Sequence, residues 1–127
     1  MRAGRALRRA IIARIEVEVP DLENRVSDQA VAATPYPYCT LGPSNWTRQD
    51  ADCIDGRIWS LQVDIWHSKA AKGAVEDLVD DVAAALEEWE VDGFAMHPFR
   101  VTLAQTLEDP SGDLHGVVQI EAMVEDA

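Results

Sequence analysis

Acidic side chains are the most abundant groups in this chain that could carry out chemistry. Two adjacent pairs, Asp80-Asp81 and Glu87-Glu88, fall within an apolar repeat that is typical of a helix. Adjacent helical residues point about 100° apart, so neither pair converges on one substrate. General acid–base catalysis also requires carboxyl groups held in unlike environments, and the pattern offers no buried candidate. We interpret these residues as a solvated helix face and predict no catalytic residue.

Metal-ligand residue types are present, but their spacing does not favour a metal site. Asp109, Asp113 and His115 stand close together around a Pro-Ser-Gly turn, and a hairpin connection explains that segment more economically. Cys39 and Cys53 do not form a CxxC pair. No glycine-rich phosphate loop and no GxSxG or HExxH motif is present. We predict no metal and no cofactor; the sequence leaves open whether the two cysteines form a disulfide.

Large apolar side chains at unusual positions are the stronger functional signal. Trp46 lies in a polar segment, and Trp66 occupies an outward position of a predicted strand. Tryptophan is enriched at the centres of protein interfaces, although both side chains could instead pack against their own domain. The residues that we predict to contact another subunit or partner are Tyr36, Tyr38, Trp46, Ile58 and Trp66.

Charge is unevenly distributed along the chain, whose formal net charge is −12. The five basic residues that precede the first acid are Arg2, Arg5, Arg8, Arg9 and Arg14; the rest of the chain carries six basic and 23 acidic residues. Affinity for duplex DNA comes from Lys and Arg that displace counterions. We therefore predict no sequence-specific DNA binding. In an assembly, the basic first helix could pair with an acidic neighbour.

Two helices follow from the spacing of apolar residues. The repeat of Leu7, Ile11 and Ile15 predicts a helix over residues 5–17 that ends before Pro20. A longer repeat predicts a second helix over residues 68–90, with Ser68 as its N-cap. The longest apolar runs are far shorter than the ~20 residues of a membrane-spanning helix, so we predict no association with a membrane.

Alternation of apolar and polar residues predicts the strands. The predicted segments are 24–27, 36–42, 57–66, 99–107 and 117–124, with a long polar connection over residues 43–56. In the third of these, Ile58 and Trp66 add apolar groups to the outer face. The order of elements predicts a single α+β domain over residues 1–127: a mainly antiparallel sheet with two helices packed on one face.

The same elements resemble the tail-completion, or tail-terminator, proteins of long-tailed bacteriophages and gene transfer agents. The resemblance spans almost the whole chain and contains no catalytic signature. Its most specific parts are the strand that ends in IWHS and the hairpin EDPSGDLHGVVQIEAMV. The segments that carry it are LRRAIIARI, PYPYCTLG, GRIWSLQVDIWHSKAAKGAVEDLVDDVAAALE and LEDPSGDLHGVVQIEAMVE.

The resemblance implies a structural virion protein located in the tail or neck and assembled in the host cytoplasm. Its subunits would form a homo-oligomeric, hexameric ring that caps the tail tube, ends tube polymerisation and joins the tube to the head–neck connector. The implied partners are the tail tube protein, a head-side neck or stopper protein, and genomic DNA that passes through the lumen without sequence-specific binding. The resemblance implies no enzymatic activity and no cofactor.

Three other functions remain open from the residues. Another head–tail joining or stopper protein of the neck shares the size, class and assembly role. A small ligand-binding domain or enzyme would need a pocket with converging polar groups. An acidic protein that imitates DNA would need two rows of acids at phosphate-like spacing.

Overall fold

A five-stranded sheet with two helices on one face makes up the described part of the chain, residues 2–49 and 55–125 of a computed structural model. The strands lie in the order β1-β2-β3-β5-β4, and every pair is antiparallel except β1 with β2. The predicted α+β class is confirmed. The elements are α1 (Gly4–Glu18), β1 (Val26–Ser27), β2 (Tyr38–Arg48), β3 (Gly56–His67), α2 (Lys72–Leu86), β4 (Arg100–Glu108) and β5 (Leu114–Glu125).

The core lies between the helices and one face of the sheet. Apolar residues of α1 recur every four positions and therefore form one buried stripe. Alternate residues of β3 and β5 face this stripe and are buried, as the period of two in a strand requires. Apolar residues of α2 complete the layer. The helical residues at its centre are Leu7, Ile11, Ile15, Val75, Val79, Val82 and Leu86.

Gly116 in β5 lets α2 approach the sheet closely. A Cβ atom at this position would lie 2.6 Å from Cγ2 of Val79 and 3.2 Å from Cγ1 of Val75. Any larger residue would push α2 away from β5. The contact fixes the distance between the two layers and shows that α2 lies over β5.

β2 is longer than its sequence pattern indicates. Residues 43–48 continue the strand, whereas we predicted a polar connection from Pro43 to Gly56; that part of the prediction is wrong. Pro43 is tolerated because the ladder with β3 shifts register between Leu41 and Ser44, and a bulge does not require its missing N–H. Residues 43–48 are exposed, so they show no apolar alternation. Trp46 consequently lies in a strand and not in a loop.

α2 is shorter than predicted at both ends. It begins at Lys72 without a side-chain cap, and the backbone N–H of Ser68 instead donates to Nδ1 of His67 at 2.8 Å. It ends at Leu86, because Glu87 is extended and Glu88 has a φ of 59°. The N–H of Glu88 donates to the carbonyl of Phe99, which ties this end of the helix to the start of β4. Neither described helix is long and apolar enough to cross a membrane.

Candidate functional site

The sheet face opposite the helices is the main candidate surface. Gly4 of α1 approaches the indole of Trp59 in β3, and α2 approaches Gly116 in β5; both contacts lie on the face that carries the core. Within residues 2–49 and 55–125, no helix covers the other face. We call this second face the open face.

One end of the open face carries a row of aromatic and apolar side chains from all four long strands. Tyr38, Trp66, His115 and Leu107 are successive cross-strand partners on β2, β3, β5 and β4. The indole of Trp66 stacks on the imidazole of His115, with ring centroids 4.0 Å apart. Tyr36 extends the row by stacking on Tyr38 at 5.6 Å. We call these five residues the aromatic end.

A chain of polar contacts runs from the aromatic end into the middle of the open face. Oδ1 of Asp64 lies 2.6 Å from Nε2 of His115 and accepts a hydrogen bond from Nε2 of Gln62 at 2.8 Å. Gln119 in turn donates to Oε1 of Gln62 at 3.0 Å. Asp64 is only 7% exposed, and a buried carboxylate requires such partners. A Cβ atom at Gly42 would lie 2.6 Å from Oδ2 of Asp64, so glycine leaves the room that this carboxylate occupies.

Beyond these contacts the open face becomes a shallow polar cavity of about 390 Å³. Its lining includes Asn45, Ser60, Gln62, Gln119 and Glu121. These side chains are amides, a hydroxyl and a carboxylate, which donate and accept hydrogen bonds. The arrangement suits hydrogen bonding to a partner surface better than a reaction.

The structure places the five predicted interface residues in three locations. Tyr36, Tyr38 and Trp66 come together at the aromatic end. Ile58 lies on the open face at the opposite end of β3, beside its cross-strand partner Met123. Trp46 faces the helix side, where its ring contacts the guanidinium of Arg57, 4.0 Å from the ring centroid. Trp46 is 47% exposed, so it forms a surface of its own and is not part of the open face.

Leu103 and Leu107 are exposed apolar residues of the open face that sequence reasoning missed. They are 38% and 41% exposed. Simple alternation along residues 99–107 would place Leu103 on the same face as Phe99 and Val101. The ladder between β4 and β5 instead shifts register between Val101 and Leu103, which turns Leu103 to the open face. No glycine or proline marks this bulge, so the sequence carries no signal for it.

The side chains of Asp109, Asp113 and His115, around the turn between β4 and β5, each contact a different partner. Oδ2 of Asp109 accepts hydrogen bonds from the hydroxyl and N–H of Ser111, and these bonds lower the pKa of Asp109. Asp113 accepts a hydrogen bond from the hydroxyl of Tyr36, and His115 faces Asp64. The segment is a hairpin connection, as the sequence analysis favoured. In the part of the chain that the structure describes, no group of three or more possible metal ligands is found.

Cys39 is a free thiol in the core, on the helix side of β2. Burial, and to a lesser extent the charge of Asp64, raises the pKa of this thiol far above its usual range. It is therefore a packing residue rather than a nucleophile. Cys53, the other candidate for a disulfide, lies outside the described residues.

Comparison with known proteins places this geometry in a family. The family model for tail completion protein gp17 matches residues 5–125. A chain from the structure titled virion of native gene transfer agent (GTA) particle is similar with a TM-score of 0.78 and 17% identity, over 94% of this chain and 95% of that chain. The structure of bacteriophage SPP1 gp17 protein has a TM-score of 0.58 and 22% identity, over 98% and 91% of the two chains. No curated protein matches the sequence.

Proposed function

The chain belongs to the tail completion protein gp17 family, and we propose that it is a tail terminator subunit, part of a ring that caps the tail tube. Membership of this family makes it a structural virion protein of the tail or neck and not an enzyme. The proposed ring ends tube polymerisation and joins the tube to the head–neck connector. The family match carries the proposal, because residues 5–125 include all but the first residue of the elements in the fold.

The proposed ring has six copies of this chain. A ring of identical subunits needs two different surfaces on each copy, which meet head to tail and close after a fixed rotation. On its two rims the ring would contact the tail tube protein and a head-side neck or stopper protein. Genomic DNA would pass through its lumen, and the net charge of −12 would disfavour adhesion of the DNA to the wall.

The aromatic end of the open face is the surface that we propose for contact with another subunit or with the tube. Aromatic side chains are concentrated at interface centres, and Tyr36 and Leu107 are each 41% exposed here. Leu103 extends the apolar surface along β4. Ile58 and Trp46 lie apart from this cluster and from each other, and we propose them as contacts of other interfaces.

The direct test is the mass of the purified protein in solution, alone and mixed with its tail tube subunits. We expect a closed ring of about six copies, alone or on the tube end, as a heterologous interface with closure requires. We also expect tubes polymerised in its presence to stop growing. A protein that stays monomeric and leaves tube growth unchanged contradicts the proposal.

The same experiment separates the terminator from another neck protein. If rings form and bind the head-side connector while tube growth continues, the chain is a joining or stopper component instead. A matched mixture that contains unfolded protein, at equal mass, controls for nonspecific inhibition of polymerisation.

A further inference from the structure

The two helices lie side by side in the layer that covers the sheet, α1 nearer to β1 and α2 nearer to β4 and β5. α1 packs near β1, and Nη1 of Arg8 donates to the carbonyl of Gly42 in β2. α2 packs over β3, β4 and β5, and Oε2 of Glu87 accepts a hydrogen bond from the N–H of Val101 in β4. The helices meet where Nε of Arg14 donates to the carbonyl of Ala85. Each helix therefore has one flank against the other helix and one outer flank above an edge of the sheet.

The outer flank of α1 is basic. Arg5 lies one turn before Arg8, which marks the β2 side of the helix, and Arg9, one turn after Arg5, lies about 100° around the helix from Arg8, towards the solvent-facing side. Both are exposed, and within the described residues neither has an ion-pair partner. The nearest acid on α1, Glu16, is almost two turns further along. We call Arg5 and Arg9 the basic flank.

The outer flank of α2 is acidic. Glu76 and Asp80 are one turn apart, and their spacing of nine and five residues from Ala85, where α2 meets α1, places them on the opposite side of the helix, away from α1. Both are exposed, and in the described part of the chain neither forms an ion pair. We call Glu76 and Asp80 the acidic flank.

We propose that the basic flank of one copy docks against the acidic flank of the next copy. This inference rests on the proposed ring and names its lateral contact. The two flanks carry opposite charge, belong to the same helical layer and lie at opposite sides of the subunit. Head-to-tail repetition requires two different, complementary surfaces placed in this way. A twofold-symmetric dimer, by contrast, would place like surfaces together.

The strand edges support the same direction of assembly. Among residues 2–49 and 55–125, β1 pairs only with Cys39 and Thr40 of β2, so most of β2 is an edge on the basic side within this part of the chain. β4 is the last strand of the sheet on the acidic side. A neighbour that joins the two flanks would also cover these edges, which proteins usually shield from unwanted pairing.

Charge in this contact acts mainly on the partner choice and the rate of association. Exposed ion pairs are individually weak, so two pairs per interface change its affinity by about two- to thirtyfold. Salt screens such pairs. We therefore expect the protein concentration needed for ring formation to rise about tenfold between low and high salt.

Paired charge reversals test the contact directly. We expect R5E/R9E and E76K/D80K each to lose ring formation, alone or on the tube, at concentrations where the unaltered protein assembles. In the first variant both flanks are acidic, and in the second both are basic. An equimolar mixture of the two restores complementary contacts between unlike copies and should form alternating rings with an even number of subunits. A chain that carries all four substitutions should assemble by itself.

The outcomes separate this inference from the proposed function. Rings formed equally well by the unaltered protein and both double variants contradict the inference and leave the terminator function standing. An unaltered protein that forms no ring, with or without the tube, removes both. The variant D21K/D92K is a matched control, because it exchanges two exposed acids elsewhere for lysines and should assemble normally. Circular dichroism of each variant verifies that its helices are intact.

Discussion

The indole of Trp66 lies flat on the imidazole of His115, with the two planes inclined by only 7°. Nε1 of Trp66 also donates to Oγ1 of Thr40 at 3.3 Å, and Nε2 of His115 lies within hydrogen-bonding distance of Oδ1 of Asp64. Three strands are thus joined on the open face by side chains that sequence alternation alone assigns to solvent. The rigid position of Trp66 follows from these contacts, and a fixed aromatic ring loses little entropy when a partner binds.

Asp64 should therefore be important for stability although it lies on the face without helices. We expect Asp64→Ala to lower the free energy of unfolding by about 1–3 kcal/mol, because the amide of Gln62 and the ring of His115 lose their buried acceptor. Urea denaturation measures this change as a lower midpoint with an unchanged slope. Asp77→Ala, on the exposed side of α2, should stay within about 0.5 kcal/mol of the unaltered protein. Equal stability of both variants contradicts the network.

Tyr36 should titrate abnormally. Its hydrogen bond to Asp113, followed by desolvation and by the charge of Asp113, raises the pKa of Tyr36 from 10.0 to about 12. The bond stabilises the fold fully below the ordinary pKa of 10.0. This contribution is lost as the pH rises through about 12, because the unfolded chain gives up its proton first.

Phenolate absorbance measures this titration. The other tyrosine of the chain is Tyr38, so the difference between the unaltered protein and Tyr36→Phe gives the signal of Tyr36. We expect Asp113→Asn to move the pKa of Tyr36 back towards its ordinary value. A titration that Asp113→Asn leaves unchanged shows that the hydrogen bond does not form in solution.

The helix–sheet core was predictable because burial on one side imposes a period. Leu7, Ile11 and Ile15 recur every four residues and are all completely buried, and alternation in β3 and β5 assigned their inner faces correctly. Helix ends were not predictable for α2, whose apolar spacing continues to Trp89. That ring contributes to the core by stacking on Phe99 at 5.8 Å, although its backbone has left the helix.

The surface was less predictable, because the length of β2 and the orientation of Leu103 both depend on bulges. The register shift at Pro43 hid the second half of β2, and the shift after Val101 reversed the face of Leu103. A bulge depends on pairing with a distant strand, so a local pattern does not contain it. Tyr36, Tyr38 and Trp66 were proposed from their residue types and, for Trp66, from its outward position in a predicted strand. Their proximity, and the contribution of His115, arise from strand order.

Substitution by alanine should lower the stability of the protein at Gly116 and raise it at Gly73. Gly116→Ala forces a methyl group against Val79, and overpacking of this kind costs about 1–3 kcal/mol. Gly73, near the start of α2, has no atom within 4 Å of the position that a Cβ would take. Gly73→Ala should therefore stabilise the protein by about 0.4–1 kcal/mol, because it restricts the unfolded chain. Thermal unfolding of the two variants, measured side by side, gives the sign of each change in stability. A stabilised Gly116→Ala variant contradicts the close approach of α2.

Leu103 and Leu107 should matter for assembly more than for folding. They are partly exposed on an edge strand, so L103K/L107K should cost less than about 1 kcal/mol of stability. If the open face contacts a subunit or the tube, two unpaired charges buried in that contact lower the affinity of assembly by about tenfold or more. The control V17K/V31K makes the same charge change at residues that are 77% and 62% exposed elsewhere. Sedimentation of both variants with tail tubes measures their assembly. Loss of binding in L103K/L107K alone assigns the contact to the open face. Equal assembly of both variants places the contact elsewhere.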